Sequence, residues 1–276
     1  MSIANNRAVL TSFMPRIVLI VPVCLALILC AGDSTAAVTV DIVAVANTTL
    51  FSAYPGNNFG TSMIATGANG VGQPGRGLIQ FDLSSIPSGA TITDALITMQ
   101  VVKVPPADQH AGLAPSNFGL YAMLVPWVAG TGGGPKGVQA NVGESTWNER
   151  LAGITSWGAP GGLSGTDFVD TPSTSAFVGT DTALYYWAGT PQVLSDLQSW
   201  VTDASTNHGY LMMSDGEDTA GTARRLASIQ TAGPSDVPPT LSVTYTTSIV
   251  PEPDCVLLIA VATCFAGAMI RRRRAT

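Results

Sequence analysis

Between residues 38 and 249, apolar and polar residues alternate in short runs broken by clusters of Gly, Pro, Asn and Asp. Val38 to Val45 (VTVDIVAV) reads as a first strand, and Gly77 to Phe81 as another. Ala90 to Val104 is the longest run, alternating through Ile92, Asp94 and Leu96 and again through Ile97, Met99 and Val101. Leu120 to Val125, Tyr210 to Met213, Arg225 to Ile229 and Leu241 to Tyr245 complete the set. A period of two places successive side chains on opposite faces of a sheet, and the intervening residues are those that turns require. Many short strands with turn signals predict an all-β fold, a β-sandwich or jelly roll. A single short helix interrupts it. Thr190 is a capping residue, Pro191 suits the first helical position, and Val193, Leu194, Leu197, Trp200 and Val201 recur at helical spacing. That stripe predicts packing against a sheet, with Trp200 as a core residue.

Pro126 to Gly189 breaks the pattern. It holds 13 of the 29 glycines and four of the five tryptophans. A long Gly-rich connection in a compact domain is usually functional or mobile.

The two ends are hydrophobic. Arg7 and Arg16 precede the apolar stretch Ile17 to Ala31, and the small residues Ser34 to Ala37 follow. This is the order of a secretory signal peptide and predicts cleavage after Ala36 or Ala37, so residues 1–37 are assigned to it. At the other end Val250-Pro251-Glu252-Pro253 precedes a 15-residue span, Val256 to Ile270, apolar but for Thr263; Arg271, Arg272, Arg273 and Arg274 follow. As a helix the span would reach about 22 Å at roughly 1.5 Å per residue, short of a hydrocarbon core of about 30 Å. The arginines predict a cytoplasmic end. A short polar motif, a hydrophobic span and an Arg cluster in that order resemble the PEP-CTERM sorting signal. The resemblance implies that residues 250–276 are a tail processed by an exosortase-type membrane protease. The protein is then exported, held transiently in the membrane by the C-terminal transmembrane span, and released to the cell surface or extracellular matrix. A plain tail-anchored helix is the other reading of the span.

The exported body, residues 38–249, carries six basic and 15 acidic residues, a net charge of −9. With no basic patch to hold phosphates, nucleic-acid binding is not expected. The four cysteines are Cys24, Cys30, Cys255 and Cys264, all at the termini. The body therefore has to fold by apolar packing without disulfides, although its compartment permits them.

Candidate chemistry is sparse. The two histidines, His110 and His208, lie in loop contexts, and no nucleophile elbow, zinc-protease helix or phosphate loop occurs. Glu144 and Glu149 flank Trp147, an arrangement open to glycosidase chemistry, but exposed loop acids explain it as well. No catalytic residue is assigned. Sugar binding rests on Trp127, Trp147, Trp157 and Trp187, because a flat ring stacks on the apolar face of a pyranose. Trp127 and Trp187 are the better ligand candidates; Trp147 and Trp157 also read as closing the loop over the core. Asp167 with Asp170, and Asp215 with Glu217 and Asp218, are acid clusters that suit calcium, which accepts oxygen ligands at irregular spacing. Solvated acidic loops are the alternative, and no other cofactor is expected.

Asn57-Asn58-Phe59-Gly60, then Arg76-Gly77-Leu78-Ile79-Gln80-Phe81-Asp82-Leu83-Ser84-Ser85-Ile86-Pro87 and Ala90-Thr91-Ile92, carry a second resemblance. So do Thr146-Trp147-Asn148, Trp157, Gly161-Gly162, Trp200-Val201, Asn207-His208-Gly209-Tyr210-Leu211 and Leu241 to Tyr245. The body is similar to the DNRLRE-type domain, a β-sandwich of secreted bacterial proteins, some of which bind uronic-acid polysaccharides. The resemblance implies a non-catalytic protein that associates with extracellular polysaccharide. A structural or adhesive matrix protein without glycan specificity is the alternative, and a polysaccharide-degrading enzyme a more distant one. In the residues themselves, Phe81, Leu83 and Ile86 are apolar and suit burial. Asp82, Ser84 and Ser85 suit a turn, and Gly209 suits a positive φ. Arg76 is expected to meet a carboxylate inside the sandwich.

Overall fold

The computed structural model describes residues 36–106 and 112–247. Residues 1–35 of the signal-peptide segment and the sorting tail, including Val250 to Pro253 and Arg271 to Arg274, lie outside the described residues, as does His110. Among the described residues no helix is long and apolar enough to cross a membrane.

The first strand, β1 (Ala36–Phe51), sets the architecture because it belongs to two sheets. Its first half, Ala36 to Val43, pairs antiparallel with β14 (Thr240–Thr247). Its second half pairs antiparallel with β4 (Pro74–Phe81), and the register slips between Ala44 and Ala46. The extra residue, Val45, points outward and is 56% exposed. A bulge of this kind bends a strand, and here it turns the chain from one layer into the other.

In the first sheet, β1 is followed by β14, β5 (Thr91–Lys103) and β11 (Leu184–Ala188). In the second, β1 is followed by β4, β12 (Tyr210–Ser214), β6 (Ser116–Ala122) and β10 (Thr174–Val178). β13 (Arg224–Leu226) lies between β5 and β3 (Ile64–Ala68) and links the layers along one side. The fold is thus an all-β, antiparallel sandwich, as the sequence pattern predicts. In β5 the register slips so that Thr93 is the unpaired residue. The phase change therefore falls earlier than the alternation suggests: Ile92, Ala95, Ile97, Met99 and Val101 face inward and Leu96 outward.

Three further pairs are short: β2 (Asn57–Asn58) with β7 (Val138–Gln139), and β8 (Glu149–Leu151) with β9 (Thr155–Ser156), besides the β3–β4 contact. Seven of the 14 strands, β2, β3 and β7 to β11, have no counterpart in the hydrophobic pattern.

The helix α1 (Pro191–Thr202) starts as expected: Thr190 accepts from the Val193 amide, and Pro191 occupies its first turn. Such a cap contributes about 1 kcal/mol. Val193, Leu197, Trp200 and Val201 are its buried face, and Trp200 meets Tyr210 edge-on at 4.9 Å. These residues join Ile79, Phe81, Ile97, Met99, Leu120 and Val243 in the core between the sheets. Phe81, Leu83 and Ile86 are buried, and the Asp82 carboxylate accepts from the Ser84 amide in the turn.

A second apolar cluster lies on the outer face of the second sheet. Leu50, Leu78 and Leu211 project away from the main core, yet each is buried, with Met123, Trp157 and Phe168 packed on them. The Gly-rich region is what covers that face.

Candidate functional site

The Gly-rich layer is tied down by buried polar side chains. Asn58, fully buried, donates to the carbonyls of Ala129 and Ser145 at 2.8 and 2.9 Å. Its Oδ1 accepts from the amides of Gly60 and Gly132 at 2.9 and 2.8 Å. All four hydrogen bonds of the amide are used. Gly60 lets the backbones touch: a Cβ there would lie 2.2 Å from the Gly130 carbonyl oxygen. The Asn58-Phe59-Gly60 sequence is therefore a clasp for the loop.

Glu144 holds the same loop from the other side. It is 7% exposed, and its carboxylate accepts from the Thr131 amide and hydroxyl and from the Asn141 amide and side chain. Burial pushes its pKa up, but these donors outweigh burial and hold it below the ordinary carboxylate value. Glu149 accepts from the Gly153 amide at 3.2 Å. Both acids beside Trp147 are thus engaged with loop backbone.

Arg76 is the central link of the layer. It lies on the outer face of β4, and so not inside the sandwich as the sequence suggested: Gly75, Gly77 and Ile79 take the inward positions. Its guanidinium meets Glu217 through Nε–Oε1 at 2.9 Å and Nη2–Oε2 at 2.8 Å. Nη1 donates to the carbonyls of Gly161 and Gly162 at 2.9 and 3.2 Å. The guanidinium also stands 5.5 Å from the Trp147 ring and 5.9 Å from the Phe168 ring.

The four tryptophans separate. Trp187 is fully buried, and its indole donates to the Phe118 carbonyl at 2.7 Å. It has no face to offer a sugar. The sequence misled because β11 lies inside the Gly-rich stretch, where its pairing of Trp187 with Ile97 of β5 is invisible. Trp157 is 5% exposed and donates to the Thr146 carbonyl at 2.8 Å. Trp147 is half-buried beneath Arg76, and Gly161 passes so close that a Cβ would lie 2.8 Å from the ring. These two close the loop layer, the second of the roles open to them from sequence. Trp127 is half-buried on the surface of the layer, with its indole N–H fixed to the His208 carbonyl at 2.7 Å.

The acid clusters are occupied by protein donors. Asp167 is buried, and its Oδ2 accepts from the Gly158 and Leu163 amides. Asp170 accepts from the Ser164 hydroxyl. Asp215 accepts from Ser116 Oγ and from the amide and side chain of Asn117, which lower its pKa against the opposing push of burial. Glu217 is paired with Arg76, and Asp218 is exposed. Among the described residues no three His, Cys, Asp or Glu side chains are grouped as a metal site.

His208 lines an open cleft of about 440 Å³ together with Asp196, Ser199, Trp200 and Ser205. Burial, and then the Arg150 charge, lower its pKa, so the imidazole is neutral at pH 7. Gly209 follows it with φ +71, and a Cβ there would sit 2.2 Å from the Ile79 carbonyl oxygen. The positive φ expected from sequence is present. Asn207 fixes the same loop by donating to the Phe81 carbonyl at 2.8 Å. Trp127 and the His208 cleft thus adjoin through one hydrogen bond. The helix contribution to this cleft had no signal in the sequence, because Asp196 and Ser199 are ordinary polar positions there.

No known family model matches the chain, and no curated protein matches it.

Proposed function

We propose that the protein is an exported, non-catalytic component of the cell surface or extracellular matrix that associates with polysaccharide. The observation that carries this reading is the placement of Trp127. Its ring is partly exposed, its indole N–H is consumed by the His208 carbonyl, and His208 itself lines a cleft of hydroxyl, carboxylate and imidazole groups. A rigid aromatic beside several polar groups suits a pyranose, which offers an apolar face and a rim of hydroxyls. The body is read as a DNRLRE-type module. The C-terminal motif, span and Arg cluster are read as a PEP-CTERM tail that an exosortase-type protease removes after transient membrane anchoring.

Glycan-array binding of wild type and Trp127→Ala tests the binding site. Loss of a glycan signal in the variant supports it, and equal binding by both places the contact elsewhere. The second reading, a structural matrix protein without glycan specificity, draws on the outer face of the first sheet. Thr39 there bonds Thr244 at 2.8 Å and Ser242 donates to Asp41, beside exposed Val43, Leu96, Leu184 and Tyr186, giving a surface of mixed hydroxyl and apolar groups. An empty glycan array with the protein still retained in matrix would favour it.

A further inference from the structure

Lys103 on β5 and Arg225 on β13 stand directly opposite each other across a strand pair, and both are exposed. Like charges in that position repel and weaken a sheet. The body has 15 acids to six bases, so an ion pair for either cation would be easy to supply. Among the described residues, however, the only ion pair is Arg76 with Glu217. Arg224, the neighbour of Arg225, is buried and donates to the carbonyls of Gly179, Thr222, Ala223 and Ala114. Among the described residues, Lys103 and Arg225 are thus adjacent cations without a carboxylate partner, on a protein that is otherwise strongly acidic.

Their surroundings are shaped. Both line a cleft of about 370 Å³ with Asn69, Pro105 and Pro106. Arg225 also lines a neighbouring cleft of about 280 Å³ beside Phe51, whose wall is fixed by Thr61 and Ser62 donating to the Gly132 and Gly134 carbonyls. The backbone of Arg225 is held on both sides, by Ala65 of β3 and Lys103 of β5. The Asn69 turn is fixed by its Oδ1, which accepts from the Val71 and Gln73 amides. Two cations side by side on a paired strand, each facing a cleft, match a group with several oxygens and a negative charge.

We propose that Lys103 and Arg225 form a binding site for an oxyanion, a sulfate ester or a carboxylate, carried on an extracellular polymer. The site is separate from the Trp127 platform and does not depend on it. It lets a protein of net negative charge hold an acidic polymer at one place while the rest of its surface repels it.

Retention of the full-length protein on dextran sulfate, carboxymethyl dextran and uncharged dextran tests this. The background carries Arg271→Gln, Arg272→Gln, Arg273→Gln and Arg274→Gln, so that the tail adds no positive charge. The full-length protein with this background and an unchanged body should bind one or both charged dextrans, weaken as salt rises, and ignore the uncharged polymer. Preference between the two charged forms identifies the oxyanion. Lys103→Gln with Arg225→Gln should weaken binding tenfold or more, while Lys136→Gln, an exposed cation of the Gly-rich loop outside the strand pair, should stay within about twofold. Relief of repulsion should leave the double variant with a thermal midpoint no lower than wild type, which separates lost binding from lost folding. No retention of wild type, or equal losses for Lys136→Gln and the double variant, would overturn the site. Trp127→Ala should keep its charged-dextran binding. A failure of the aromatic platform on neutral glycans is therefore distinguishable from a failure here.

Discussion

Arg76 and Glu217 lie 141 positions apart and meet through two parallel N–H···O contacts, Nε to Oε1 and Nη2 to Oε2. Arg76 comes from a central strand of the second sheet, and Glu217 from the loop after β12. Because Nη1 also holds the Gly161 and Gly162 carbonyls, one side chain joins the sheet, the Gly-rich layer and the acidic loop. Both side chains are 16% exposed, so solvent weakens the Coulombic part, but the geometry of the fork remains.

Arg76→Ala should therefore lower stability by about 1.5–3 kcal/mol, the range for hydrogen bonds to charged groups. Arg76→Lys should recover little, because an ammonium cannot make the paired contact and hold the two glycines. Urea unfolding measures both. A variant within about 0.5 kcal/mol of wild type would mean that the layer is held without this link.

Acid should loosen the same layer. The donors around Glu144 and Asp215 hold both carboxyls below their ordinary values of 4.5 and 3.8. Each group therefore contributes stability that is present above its unfolded pKa. That contribution is lost as pH falls below it and through the folded value. Thermal midpoints measured from pH 6 down to pH 2 should fall in the acid range. Glu144→Gln should lower the midpoint at pH 6 and flatten the decline. A profile identical to wild type would show that Glu144 is not the group responsible.

The fold class was legible in the sequence because strands buried on one face carry a period of two, as in β5 and β14. The helix was legible because Thr190, Pro191 and the Val193–Val201 stripe agree with one another. Strands β10 and β11 were not. Their positions are set by partners far along the chain, such as Ile97 for Trp187, and flanking glycines conceal them. The same reason explains Arg76. The hydrophobic pattern marks the strand only from Gly77, one residue past Arg76, and the face that Arg76 takes depends on the phase of Gly75 and Gly77, small residues with no hydropathy signal. The acid clusters were visible as composition, while the donors that occupy them were not: Ser116 and Asn117 come from β6, and Gly158 and Leu163 are backbone amides brought round by the fold of their own loop.

Gly209 is a position where sequence and structure agree, and it can be tested directly. Gly209→Ala would place a Cβ against the Ile79 carbonyl at φ +71. Left-handed backbone alone costs an alanine about 1–2 kcal/mol, and the contact adds to it. The expected loss is more than about 2 kcal/mol, with His208 displaced in the histidine region of the NMR spectrum. An unchanged unfolding midpoint would sink this account of the loop.

Removal of disulfide chemistry should make no difference to the body. It has no cysteine between residues 38 and 249, so the two apolar clusters carry its stability. Thermal midpoints with and without reductant should coincide. A clear drop on reduction would reveal a covalent contribution from Cys24, Cys30, Cys255 or Cys264 in the termini.

The tryptophans should divide into two classes under alanine substitution. Trp187→Ala removes a fully buried indole and orphans the Phe118 carbonyl. Trp200→Ala empties the contact between α1 and Tyr210. Each should cost about 3–5 kcal/mol of stability, which is a large share of the roughly 5–15 kcal/mol that holds a domain together. Trp127→Ala should cost less, because that ring is only partly buried, at the margin of the second apolar cluster, and loses its bond to His208. Circular dichroism should leave Trp127→Ala unchanged, while polysaccharide retention falls tenfold or somewhat more, as expected when a partly buried aromatic contact of about 1.5 kcal/mol or more is lost. Unfolding by Trp127→Ala would make the residue part of the clasp between the loop layer and β12. Retention at wild-type strength, with the fold intact, would remove the ring from the binding surface.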